Sequence, residues 1–136
     1  MFELTRRLEF SAAHYLRSPA LTDDENRALY GPCYGLHGHN YVMDVTVKGP
    51  VDPITGMVMD LNVMAKILDK TIFAVVDHKH LDADVPWLEG VISTAENVAA
   101  AMWEQLAPQL EGLLFRIRLF ESAANVVDYH GPQQAG

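Results

Sequence analysis

The sequence predicts an α+β domain in which a four-stranded antiparallel sheet carries two helices packed on one face. Three observations lead there. Two strand-like segments open the chain and two close it, each with apolar residues at alternate positions. Two segments of helical period, residues 61–76 and 94–107, lie between them with their own start signals. And 136 residues, 49% hydrophobic and 21% charged, are enough for one buried core without disulfides, so residues 1–136 are read as a single domain.

Along the chain, "FELTRRLEF" sets Phe2, Leu4, Leu8 and Phe10 in one alternating series, the mark of a half-buried strand. "NYVMDVTVKG" puts Tyr41, Met43, Val45 and Val47 on one face and Asn40, Asp44 and Thr46 on the other, with β-branched residues that suit a strand. "GPVDPITG" is a connection. Asp60 is an N-cap for "LNVMAKILDKTIFAVV", where Leu61, Met64, Ile67, Leu68 and Ile72 keep helical spacing. Ser93 and Glu96 have capping-box spacing at the head of the second helix, whose apolar face is Val98, Met102 and Leu106 and which Pro108 ends. "LLFRIRLFE" alternates Leu113, Phe115, Ile117 and Leu119 with Arg116 and Arg118, and "NVVDYHG" is its hairpin partner. An open sheet of four strands leaves two edges, which assembly into a barrel would close.

Composition narrows the function. A net charge of −8 with ten scattered Lys and Arg works against nonspecific nucleic-acid binding, which needs clustered cations. An anionic small molecule remains compatible, because a local pocket can oppose the sign of the whole surface. No apolar run approaches the ~20 residues of a membrane span. The single cysteine cannot form an internal disulfide, and the charged N-terminus does not read as a secretory signal. A cytoplasmic protein without membrane contact is expected.

The chemistry gathers around "GPCYGLHGHNY". Residues two apart on a strand share a face, so His37 and His39 converge. Two imidazoles so placed suit a tetrahedral zinc ion, which needs a third protein ligand. His14, in "FSAAHYL" at the end of the first strand, is the candidate. Cys33 is open to three readings: a fourth ligand closing a structural site, a free thiol beside an open catalytic one, or a small buried apolar residue. Its glycine, proline and tyrosine flanks favour a loop and a functional role. Asp77 and His78 adjoin at a helix end and can relay a proton; a charge at a helix end is the ordinary alternative. Glu121 closes an apolar strand, where an acid can hold a nitrogen heterocycle or simply be solvated.

In order, "FSAAH", "C-x-x-x-HGHNY", "GMVMDLN", "DHKHLD", "STAEN" and "FES" resemble the 6-pyruvoyltetrahydropterin synthase and 6-carboxytetrahydropterin synthase superfamily over residues 2–130. The resemblance implies the tunnelling fold (T-fold), whose trimers close a barrel and stack as a homohexamer with active sites between subunits. It implies Zn2+ on His14, His37 and His39, with Cys33 as general base. It implies His78 as a proton relay oriented by Asp77, and Glu121 as the anchor of the pterin, with Thr94 and Glu96 beside the substrate. The substrate so implied is a small-molecule pterin triphosphate, 7,8-dihydroneopterin triphosphate. Arg6, Arg7, Arg17, Lys70 and Lys79 are the basic residues available to its phosphates.

Two features point to different products. The short spacing from Cys33 to His37 resembles the bacterial 6-carboxytetrahydropterin synthases. "SPALTDDENRALYG" and the stretch from "DVPW" to "STAEN" resemble the pyruvoyl branch, with Ala95 replacing a threonine often seen there. Because the spacing lies at the reacting atoms, the expected activity is 6-carboxy-5,6,7,8-tetrahydropterin synthase, releasing acetaldehyde and triphosphate and feeding queuosine-type deazapurines. The alternative is 6-pyruvoyltetrahydropterin formation. A noncatalytic zinc-binding module would explain the histidines but not Asp77, His78 and Glu121 in matching order.

Overall fold

The computed structural model describes residues 1–133; residues 134–136, the end of the expected domain, lie outside the described residues. Its frame is a long antiparallel ribbon of β1 (Phe2–His14) and β2 (His37–Gly49), paired continuously from Phe2 opposite Gly49 to His14 opposite His37. β4 (Leu114–Phe120) pairs with the other side of β2, and β5 (Val126–Tyr129) pairs with β4, both antiparallel.

The expected four strands are present, but the sheet has five, in the order β3-β1-β2-β4-β5. The addition, β3 (Lys79–His80), pairs in parallel with β1 at Ala12 and Ala13. Two residues carry no readable period, so this strand is set by its neighbours rather than by its own pattern.

One face of the sheet is covered. Phe10, Ala12, Tyr41, Met43, Val45, Val47, Ile117 and Leu119 are buried in the same core as Met64 and Leu68 of α2 (Leu61–Leu68) and Val98, Met102 and Leu106 of α5 (Ala95–Leu106). Each large apolar side chain so buried contributes about 1.5–3 kcal/mol. The other face is polar. Thr5 and Thr46 share a hydroxyl hydrogen bond of 2.7 Å, and Arg7 and Arg118 make two-pronged contacts with Asp44 and Asp128.

Asp60 caps α2, its carboxylate accepting from the Asn62 and Val63 N–H groups. The helix continues through a π turn (Asp69–Phe73) into α3 (Ala74–Val76), and Asp77 and His78 follow directly. The cap of α5 differs from the expected Ser93–Glu96 box: Thr94 accepts from the Asn97 N–H at 3.3 Å. Either residue of a Ser-Thr pair can cap, and Ser93 is buried and engaged elsewhere. The segment between β1 and β2 forms α1 (Asp23–Tyr30), closed by a Thr22–Glu25 capping box. Another short helix, α4 (Leu81–Asp84), follows β3. Among the described residues no helix is long and apolar enough to cross a membrane.

Candidate active site

Toward the open end of the β1–β2 ribbon the covered face changes chemistry. The row Val45, Met43, Tyr41 continues as His39 and His37, with Ala12 and His14 opposite them. The three imidazole centroids lie 4.6, 4.9 and 5.2 Å apart, and one nitrogen from each ring falls within 4.8 Å of the others. Strand register therefore does the assembling, since all three side chains stand on paired positions of one face.

Hydrogen bonding selects the nitrogens. His14 Nδ1–H donates to the Ser93 carbonyl at 2.9 Å, and His37 Nδ1–H donates to the Gly35 carbonyl at 2.8 Å. A carbonyl can only accept, so in both rings Nε2 is left as the lone-pair nitrogen. The Nε2 atoms of His14, His37 and His39 are buried, and none has a hydrogen-bond partner among the described residues. A buried unsatisfied acceptor costs about 1–3 kcal/mol, and three ring nitrogens this close could share a cation. Three converging imidazoles, two of them oriented by carbonyls, fit a zinc-like metal. Burial also lowers the pKa of His14 and His39, which favours the neutral, ligating form.

Two further groups border this cluster. Glu121, one residue beyond β4, brings Oε1 to 3.3 Å from His39 Nε2, and its own N–H donates to the Asn125 carbonyl. Tyr41 stacks on Phe10 and meets His14 and His39 edge-on; burial pushes its phenol pKa up.

Ser93 is not among the residues expected at the site. Its carbonyl orients His14, while its hydroxyl donates to the Tyr15 carbonyl at 3.1 Å. The signal available in the sequence is the Ser-Thr pair itself, one residue more than a cap requires. Thr94 thus sits beside the partner of a candidate ligand, whereas Glu96 is exposed on the first turn of α5.

Cys33 lies in a short 3-10 turn (Gly31–Tyr34) and is half-buried. The metal-type cluster found among the described residues contains the three histidines and not this thiol. The Cys33 carbonyl accepts from the Leu16 N–H at 2.8 Å, which ties the turn to the chain just beyond His14.

Asp77 and His78 form a compact unit on the edge of β1. Asp77 accepts from the Ser11 N–H at 3.0 Å and from His78 Nδ1–H at 2.7 Å, and the His78 N–H donates to the Ser11 carbonyl at 2.6 Å. These bonds hold His78 at φ +59°, a left-handed conformation unusual for a side chain of this size. The Ser11 N–H, then His78, lowers the Asp77 pKa. The His78 ring is 81% exposed and opens onto a groove that also meets Ser11, Ala12, Ala13, His39 and Asn40. The side chains of Ser11, Ala13 and Asn40 alternate with those of Ala12, His14 and His39, so they belong to the polar face. The structure thus gathers the three histidines with Glu121, and Asp77–His78 forms a second unit whose groove His39 also lines.

Three converging histidines on one face of an α+β sheet, with a carboxylate beside them, form a cluster that could hold a metal ion. The chain belongs to the 6-pyruvoyl tetrahydropterin synthase family, whose family model matches residues 3–132. It is 45% identical over 132 residues to the human 6-pyruvoyl tetrahydrobiopterin synthase, covering 95% of this chain and 91% of that one. The solved 6-pyruvoyl tetrahydropterin synthase of Caenorhabditis elegans superposes with a TM-score of 0.92 at 38% identity, over 96% of each chain. The fold is the T-fold.

These similarities correct the expected 6-carboxytetrahydropterin synthase activity. A 6-carboxy-5,6,7,8-tetrahydropterin synthase from Rickettsia typhi is only 27% identical, over 125 residues, and the queuosine assignment falls with the activity. The error lies in treating the Cys33–His37 spacing as a measure of where the thiol sits. The turn is positioned by bonds to residues 16 and 17, so the count of residues leading on to His37 does not fix the sulfur.

Proposed function

We propose that the chain is a zinc-dependent lyase that converts 7,8-dihydroneopterin triphosphate to 6-pyruvoyltetrahydropterin with loss of triphosphate. The observation that carries this reading is the set of three converging imidazoles with buried Nε2 atoms, in a chain 45% identical to a 6-pyruvoyl tetrahydrobiopterin synthase. His14, His37 and His39 would hold the metal. Bound there, zinc would supply Lewis acidity toward the side-chain oxygens of the substrate, making the neighbouring C–H protons more acidic.

The remaining roles fall to the chain's own groups. Cys33 accepts a proton from the substrate side chain. Asp77 holds His78 Nδ1–H at 2.7 Å and so keeps Nε2 free to take or return a proton. Glu121 receives the amide and amino N–H groups of the pterin, a two-pronged charge-assisted contact. Thr94, the cap of α5, and Glu96, on its first turn, would contact the substrate. Of the basic residues open to the triphosphate, Arg7 is already paired with Asp44 and Arg17 with the Tyr34 carbonyl, which favours Arg6, Lys70 and Lys79.

What one chain leaves open supports the proposed assembly. Residues 2–10 of β1 and the whole of β5 have no strand beyond them among the described residues. Within one chain Asp77 and His78 stand on the edge of β1, outside the histidine cluster. A homohexamer with sites between subunits closes the edges and lets a neighbour's Asp77–His78 reach the metal face.

Release of inorganic triphosphate tests the reading. Zinc-loaded protein should release it from 7,8-dihydroneopterin triphosphate, chelation should stop the release, and added zinc should restore it. Zinc-loaded protein that binds the pterin but releases no triphosphate would contradict the proposal.

A further inference from the structure

We propose that Arg17 is a positioning residue for Cys33, resting on the reading of Cys33 as the base. Its guanidinium lies over two aromatic rings, 4.0 Å from the centroid of Tyr15 and 4.3 Å from that of Tyr34, whose ring also has the Arg27 guanidinium over it at 5.1 Å. The same side chain donates from Nε to the Tyr34 carbonyl at 3.0 Å. Tyr34 is the residue after Cys33, and Leu16 already holds the Cys33 carbonyl at 2.8 Å. Two successive carbonyls of the turn are therefore held by two successive residues of the segment after His14, one through backbone and one through the arginine.

The Tyr15 side of this contact is firmly anchored. Tyr15 N–H donates to Asp82 at 2.9 Å, its carbonyl accepts from Ser93, and its ring meets His80 edge-on. Ser93 is also the partner of His14, so a single hydrogen-bonded unit carries both a candidate metal ligand and the platform for Arg17. The Tyr34 side needs such a platform. The turn starts at Gly31, in the left-handed region at φ +56°, and is followed by Gly35, so it has a permissive residue at each end. Arg17 couples the loose element to the rigid one. Its planar fork can stack on two rings and donate in its own plane at once, which a lysine cannot do.

Cys33 is the only cysteine, so alkylation by iodoacetamide reports on one thiol. In Arg17→Ala, the zinc-loaded protein should alkylate about fivefold faster or more, as the turn loosens. Its kcat should fall about tenfold or more, with KM within about twofold and zinc content unchanged. Arg17→Lys should recover less than half of the lost rate. Tyr34→Leu, which removes the ring but keeps the carbonyl, should shift both readouts in the same direction and serves if Arg17→Ala folds poorly. Wild-type alkylation and kcat in Arg17→Ala would overturn the proposal. So would a raised KM with unchanged kcat, which would make Arg17 a contact for the substrate's phosphates. Full turnover by Cys33→Ala would remove the catalytic reading, while the alkylation rates would still decide whether Arg17 holds the turn.

Discussion

The three histidines stand on the β1–β2 ribbon, thirteen residues long in each strand, whereas Cys33 stands on a four-residue turn and His78 on the edge of β1. A paired strand fixes the face and spacing of its side chains through a ladder of backbone bonds, so the metal ligands need little further support. A turn or an edge has no ladder, and each group there is placed by individual contacts: Leu16 and Arg17 for the Cys33 turn, Ser11 for Asp77 and His78. In the proposed mechanism metal binding would thus belong to the sheet, and proton transfer to what is attached to it.

That division gives separable outcomes. The largest effect is expected from His37→Ala, which removes one of three ligands: bound metal and turnover should both fall to background, measured by metal analysis and triphosphate release. Cys33→Ala should lower kcat by about 10²–10⁴-fold and leave the metal in place, since the thiol lies outside the histidine cluster. Loss of zinc from Cys33→Ala would merge the two regions into one metal site. Asp77→Asn should cost about 10–10²-fold in kcat with metal retained, because the amide no longer stabilises a charged His78.

The smallest effect concerns stability without metal. Burial sets the folded-state pKa of His14 and His39 below the ordinary 6.5, so between those values the unfolded chain binds more protons than the folded one. The metal-free protein should keep its full stability above about pH 6.5 and lose it as the pH falls toward the lowered folded-state values. Urea midpoints at a series of pH values, with and without zinc, would show this. A midpoint flat from pH 7.5 to about 5.5 would contradict it.

Much of this is legible in the sequence because strands obey a period of two. His37 and His39 share a face wherever β2 lies, and the alternation of Tyr41, Met43, Val45 and Val47 says that the face is the covered one. His14 follows once β1 and β2 are neighbours. What escapes the sequence depends on single contacts. β3 exists because Lys79 and His80 follow a unit docked on Ser11, and two residues show no pattern. Ser93 has cap chemistry but is pulled into the core by His14 and Tyr15, leaving Thr94 to cap. The Cys33–His37 spacing counts residues, whereas Leu16 and Arg17 set the position of the turn.

The proposed activity is tested most directly by the mass of the pterin product formed by zinc-loaded protein from 7,8-dihydroneopterin triphosphate alone. The expected products are 6-pyruvoyltetrahydropterin and triphosphate, with the three-carbon side chain intact and no acetaldehyde. Acetaldehyde together with 6-carboxytetrahydropterin would contradict the pyruvoyl reaction and make the short spacing between Cys33 and His37 the better guide to the chemistry.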